Sequence, residues 1–270
     1  MELSNILIPA AIFAGLGILL GVLLAVASRV FAVKTDERVE KISEALPGAN
    51  CGGCGYSGCA ALAEAIVKGE APANACRAGG AACAAKIGEI MGVAVTAQTP
   101  VRARVLCSGE CGKAKEKSRY EGVQDCIAAD RMYGSDKLCV YGCMGLGTCA
   151  GVCKYGAITV SDGIARVDPG KCTGCGACAS VCPKHLIALV PVTAQYAVDC
   201  HSGEPGALTR KTCDAGCIGC RICEKNCPAQ AIRVENNLAA IDYEKCTGCG
   251  VCHEKCPRKI ISRTGLKKEN

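Results

Sequence analysis

The stretch CTGCGACASVCP at residues 172–183, echoed as CTGCGVCHEKCP at residues 246–257, decides how this chain is read. Each holds Cys-x2-Cys-x2-Cys-x3-Cys-Pro. Three cysteines at intervals of three can wrap one corner of an iron–sulfur cubane, and the fourth, set off by proline, points to a second centre. Gly174, Gly176, Gly248 and Gly250 lack a Cβ, so backbone N–H groups can approach sulfide closely. A zinc knuckle needs four ligands around one point and has no use for a crossed pattern. The runs therefore predict paired [4Fe-4S] clusters.

Moving outward, the stretch CKYGAITVSDGIARVDPGKCTGCGACASVCPKHLI, which begins at Cys153, aligns without a gap to CPAQAIRVENNLAAIDYEKCTGCGVCHEKCPRKII, which begins at Cys227. The offset extends upstream, mapping Cys126 to Cys200, Cys139 to Cys213, Cys143 to Cys217 and Cys149 to Cys223. This is a tandem duplication of one unit. Residues 157–160 and 164–167 read as a short β-hairpin over Ser-Asp-Gly, and residues 231–234 and 238–241 as its copy over Asn236-Asn237. Short helices are expected after each Cys-Pro.

Composition agrees with small modules built around inorganic centres. The chain has 26 Cys in 270 residues, with no Trp and two Phe, too few aromatics for one large conventional core. The formal charge of +6 counts each cysteine as neutral. Five clusters at about −2 each would bring the holoprotein to about −4, so the basic balance does not indicate nucleic acid.

Residues 6–27, ILIPAAIFAGLGILLGVLLAVA, carry no charged or hydrogen-bonding side chain. As a helix they would reach roughly 33 Å, against a hydrocarbon core of about 30 Å. A cleaved signal peptide is the rival reading, through Ala25-Val26-Ala27, but the first five residues lack Lys and Arg. The expectation is a retained single-pass anchor in the cell (inner) membrane. Arg29, Lys34, Arg38 and Lys41 follow it, which places the rest of the chain in the cytoplasm. In that reducing compartment metal ligation is favoured over disulfides.

Between this segment and the repeats lie Cys51, Cys54 and Cys59 in a Gly-rich loop, then Cys76. A helix over 60–68, ended by Gly69, should follow the loop. Four cysteines suit one [4Fe-4S] cluster, and ligand count alone leaves zinc as the alternative. The expected class is α+β, divided into an anchor at 1–30, a four-cysteine domain at 34–95, a connecting segment at 96–135, and two-cluster units at 136–192 and 200–264.

Over Cys139 to Ile187, and again over Cys213 to Ile261, the sequence resembles two-cluster bacterial ferredoxins. The resemblance implies one cluster on Cys172, Cys175, Cys178 and Cys153. Its companion takes Cys182 with Cys139, Cys143 and Cys149. In the second unit it implies one cluster on Cys246, Cys249, Cys252 and Cys227, and another on Cys217, Cys220, Cys223 and Cys256. The first unit departs from the pattern. Leu146 stands where the second has Cys220, and Lys154 replaces the proline. Cys139 is assigned the missing role, which makes Cys213 a competitor of Cys220. Cys83, Cys107, Cys111, Cys126 and Cys200 are left over. The first four could supply a sixth cluster, with buried free thiols as the plain alternative.

The motif C-G-x-C-G-x-x-x-C…C is similar to a four-cysteine domain shared by the B subunit of the Rnf complex and certain corrinoid iron–sulfur proteins. The order of anchor, four-cysteine domain and ferredoxin units resembles the Rnf B subunit over essentially the whole chain. That resemblance implies an electron relay in a membrane ferredoxin:NAD+ oxidoreductase coupled to Na+ or H+ translocation. Its expected partners are soluble ferredoxin, other subunits of the complex and, through residues 6–27, the lipid bilayer. No nucleotide-binding loop is visible, so NAD+ chemistry falls to other subunits. A membrane-anchored ferredoxin-type protein feeding another reductase, or a corrinoid-protein activator, is the alternative.

Overall fold

The computed structural model describes residues 4–30, 36–96 and 98–265. Helix α1, Ser4–Val30, opens the chain. Its side chains are described from 13 to 29, and those of Phe13, Leu16, Ile18, Leu19 and Leu24 are exposed. Among the described residues no helix is long and apolar enough to cross a membrane. The single-pass anchor expected over residues 6–27 is corrected accordingly, together with the inner-membrane and cytoplasmic placement that rested on it. Part of that stretch lies outside the residues whose side chains are described.

Three helices build the four-cysteine domain: α2 Glu37–Ala45, α3 Cys59–Val67 and α4 Gly80–Met91. Asp36 caps α2 by accepting from the Arg38 amide at 2.9 Å. Helix α3 lies one residue upstream of the expected span. Gly69, at φ +77°, closes its end, with the Glu70 amide donating back to Ala65 O at 2.8 Å. Ile42, Leu62, Ile66 and Ile87 form a fully buried core between the three helices.

The repeat folds as a repeat. Strands β2 (Ile158–Ser161) and β3 (Ile164–Val167) form one hairpin, and β6 (Ile232–Glu235) and β7 (Leu238–Ile241) form the other. Ile158 pairs with Val167 and Ile232 with Ile241, so the register is reproduced pair for pair. Asp162 and Gly163, then Asn236 and Asn237, hold the two turn positions at positive φ, as tight two-residue hairpins require.

The segment at 96–135 contributes secondary structure of its own. Its strand β1 (Val101–Val105) pairs antiparallel with β4 (Ile187–Pro191), and its helix α5 spans Cys126–Met132. The second unit is closed in the same way by β5 (Tyr196–Val198) against β8 (Ile261–Arg263).

Short helices α6 (Thr148–Gly151), α7 (Ala177–Ser180), α9 (Ile222–Lys225) and α10 (Val251–Lys255) precede the Cys-Pro or Cys-Lys pairs; α8 (Gly206–Thr212) precedes Cys213. The helices expected after each Cys-Pro are thus displaced upstream. Proline disfavours helical backbone at the residue before it. Past the proline the chain turns through His185, Gln230 or Lys259, all at positive φ.

Candidate iron–sulfur sites

Small apolar side chains and the cysteines themselves make up the cores of the two units. In the first, Cys149, Cys172 and Cys178 pack with Ala157, Ile158 and Ile187. In the second, Cys217, Cys223 and Cys256 pack with Ile232, Val234 and Ile260. Burial is the main reason that the thiol of Cys149 is pushed up to about 12 and those of Cys178 and Cys223 to about 11.

Two cavities of the second unit hold the cysteines in fours. Cys227, Cys246, Cys249 and Cys252 line one. Cys217, Cys220, Cys223 and Cys256 line the other, and Cys213 does not reach it. Ala231 N donates to Cys227 Sγ at 3.3 Å, as Ala157 N does to Cys153 Sγ at 3.4 Å one repeat earlier. Such N–H···S bonds stabilise added negative charge on sulfur.

The first unit has a matching cavity, lined by Cys143, Cys149, Cys182 and Cys126. Cys126, left over by the cysteine spacing, therefore occupies the place that spacing gave to Cys139. Three contacts hold it there. Its amide donates to Thr148 Oγ1 at 2.7 Å, and that hydroxyl donates to Asp125 Oδ2 at 2.9 Å. Asp130, also on α5, pairs with Lys184 beside Cys182 at 2.6 Å. Asp125 further accepts from Ala128 N at 2.8 Å as the α5 cap. That hydrogen bond first, and the Thr148 hydroxyl second, lower its carboxyl pKa. A leftover cysteine opening a helix behind an N-capping Asp was the available signal, because it fixes the thiol at a rigid position.

The other four-cysteine group of the first unit gathers Cys178 with Cys172, Cys175 and Cys153. Burial first, and these neighbours next, raise the Cys178 thiol. Ala103 N, on β1, donates to Cys172 Sγ at 3.3 Å. Gly174 is required here because a Cβ would stand 2.1 Å from Val101 O of the same strand.

In the N-terminal domain Cys76 is raised to about 11, by burial and then by Cys83, Cys54 and Cys59. Cys51 is turned toward Cys175 of the first unit. Gly53 makes that approach possible: a Cβ there would lie 2.2 Å from Cys175 O. Tyr155 stands between the two domains, beside Cys51, Cys175 and Cys76. Cys139 and Cys213 are buried together with Ala114, apart from these sites. Cys111 is exposed.

These residues fit [4Fe-4S] clusters. The donors are thiols in fours, and backbone amides aim at the sulfurs. Among the described residues no three His, Cys, Asp or Glu side chains are gathered tightly enough to hold one metal ion. A cubane asks for a looser set, since each cysteine takes its own iron corner.

Comparison with known families agrees. Residues 46–78 match the family described as "Putative Fe-S cluster", residues 165–187 a "4Fe-4S binding domain" and residues 216–261 a "4Fe-4S dicluster domain". The chain is 46% identical to the B subunit of the Na(+)-translocating ferredoxin:NAD(+) oxidoreductase complex of Acetobacterium woodii, over 90% of this chain and 73% of that protein. It is 43% identical to the B subunit of the ion-translocating oxidoreductase complex of Methanosarcina acetivorans, over 90% and 93%. It is 39% identical to the B subunit of the proton-translocating ferredoxin:NAD(+) oxidoreductase complex of Clostridium ljungdahlii, over 89% and 85%. With its two ferredoxin units, its four-cysteine domain and this extent of likeness, the chain belongs to the B-subunit family of ion-translocating ferredoxin:NAD+ oxidoreductase (Rnf) complexes.

Proposed function

We propose that this chain is the electron-relay subunit of such a complex. It takes single electrons from reduced ferredoxin and passes them toward partner flavoprotein subunits that reduce NAD+ with Na+ or H+ translocation. Bound [4Fe-4S] clusters supply the one-electron chemistry, each gaining one electron as its donor loses one. The chain's own residues set where those electrons can rest. We assign five cluster sites. They are Cys51/Cys54/Cys59/Cys76; Cys153/Cys172/Cys175/Cys178; Cys126/Cys143/Cys149/Cys182; Cys217/Cys220/Cys223/Cys256; and Cys227/Cys246/Cys249/Cys252.

One observation carries the reading. The cysteine groups stand in contact from the N-terminal domain into and through the first ferredoxin unit, through Gly53 against Cys175 and through the shared core of Cys149 and Cys178. Electron transfer needs such closeness, whereas a structural metal site does not. Exposed Cys220 and Cys249 bring the second unit's sites to the surface, within reach of a docked carrier.

The test is anaerobic mixing of the full chain with reduced ferredoxin. Bleaching of the visible iron–sulfur absorbance faster than turnover of the complex is expected. A chain that dithionite bleaches but reduced ferredoxin does not would exclude ferredoxin as its donor.

A further inference from the structure

The five sites leave a gap between the two ferredoxin units, and four buried or half-buried cysteines fill it. We propose that Cys107, Cys139, Cys200 and Cys213 form a sixth [4Fe-4S] site, placed on the junction of the two units and belonging to neither. This rests on the relay reading above and extends it.

Gly109 touches two of these residues: a Cβ on it would lie 3.5 Å from Cys107 Sγ and 3.5 Å from Cys213 Sγ. Cys139 and Cys213 share one buried cluster. The charges acting on the Cys139 thiol come from Cys213, Cys200 and Cys107, the other three members of the set. Two strand bridges hold the segment after Cys107 in place, Ala114 to Cys213 and Cys111 to Ala114.

The repeat supplies an independent argument. Cys143 N donates to Cys107 Sγ at 3.5 Å, and Cys217 N donates to Cys200 Sγ at 3.3 Å. Cys143 and Cys217 are the same position in the two copies, and so are Cys139 and Cys213. Each unit thus supplies one repeat-equivalent cysteine and one repeat-equivalent amide to the set. The backbone of the next site on either side donates directly into the set, as a link in a relay requires.

The electrostatics suit an anionic centre. Lys137, only 3% exposed, donates its Nζ to Gly109 O at 2.8 Å, Cys143 O at 2.8 Å and Gly163 O at 2.7 Å. Arg258 donates to Cys213 O at 2.6 Å. A cluster held by four thiolates carries about −2, and these two cations stand beside it.

The experiment is iron and acid-labile sulfide counting on the full chain purified anaerobically, with Cys107→Ser/Cys200→Ser as the first variant and the exposed Cys111→Ser as the second. Six sites predict about 24 irons per chain in the parent and about 20 in the first variant, with the second unchanged. The single variant Cys139→Ser, which keeps three ligands, should add a three-iron EPR signal after oxidation. About 20 irons in a parent chain with four unreactive or disulfide-linked thiols would overturn the sixth site and leave the five-site relay standing. One zinc per chain in its place would overturn it as well. Fewer than about 16 irons in the parent would sink the relay reading itself.

Discussion

Arg104 Nε donates to Asp199 Oδ1 at 2.7 Å, and its Nη2 donates to Asp199 Oδ2 at 2.9 Å, a bidentate pair between β1 of the first unit and the residue after β5 of the second. Ser262 on β8 bonds to both partners. The side chains are 21% and 11% exposed, so water screens them little. Arg104→Ala would strand a buried carboxylate and is expected to cost roughly 2–3 kcal/mol. Guanidinium-induced loss of visible absorbance reads this directly. An unchanged midpoint would mean that the units are held together elsewhere.

Gly53 marks the other junction. Gly53→Ala places a methyl group 2.2 Å from Cys175 O, closer than any real contact, and the overlap is with backbone. The domains must separate, at a cost of roughly 1–3 kcal/mol. Magnetic coupling between the N-terminal cluster and its neighbour should weaken, and electron exchange between them should slow. EPR of the reduced chain is the measurement, and an unaltered spectrum would remove Gly53 from the path.

Cys220 and Cys213 are separable by spectrum. Cys220→Ser removes one of the four sulfurs lining the second-unit cavity and is expected to give a three-iron signal with loss of about one iron. The parent should show no such signal. If Cys220→Ser kept its full iron and lacked the signal, Cys220 would not be a ligand.

Lys137→Met removes a buried cation that lies beside Cys143 and acts on its thiol. Reduction adds negative charge, so losing a positive neighbour should make it harder. The potential of the nearest cluster is expected to fall, on the order of tens of millivolts. Potentiometric EPR titration would decide, and a rise would reverse the assignment.

In the cluster-free chain, burial holds the Cys149 thiol up at about 12 and those of Cys76, Cys139, Cys200 and Cys223 at about 11. A raised thiol pKa favours the protonated fold. That contribution is complete below about pH 8.5, the ordinary thiol value, and is lost as pH rises through 11 to 12. Far-UV circular dichroism of the apo-chain should hold to pH 8.5 and decline above it. Iron loading displaces these protons, so uptake should quicken from pH 7 toward 8.5. A pH-independent uptake rate would contradict this.

Much of the fold could be read from spacing. The hairpins at 158–167 and 232–241 follow from turn residues and a gapless repeat, both local signals. Regular spacing also points to Cys220, which lines the second-unit cavity. Cys126 did not, because its partner residues Thr148 and Lys184 are distant in sequence and the contact exists only once α5 has docked. The place of Cys83 is likewise tertiary: helix α4 brings it beside Cys76 from outside the loop motif. The segment at 96–135 reads as a connector because β1 is one short strand whose partner, β4, lies more than eighty residues on.

The two copies thus differ in more than Leu146 against Cys220 and Lys154 against Pro228. Cys126 serves its own unit, while its copy Cys200 faces the junction, where Cys139 and Cys213 meet across the two copies. Once Cys200 had turned outward, neither copy could be dropped without orphaning sulfurs of the other. The duplication then works as a ratchet: it can be elaborated, but a lineage that has it has no single-step route back to one copy.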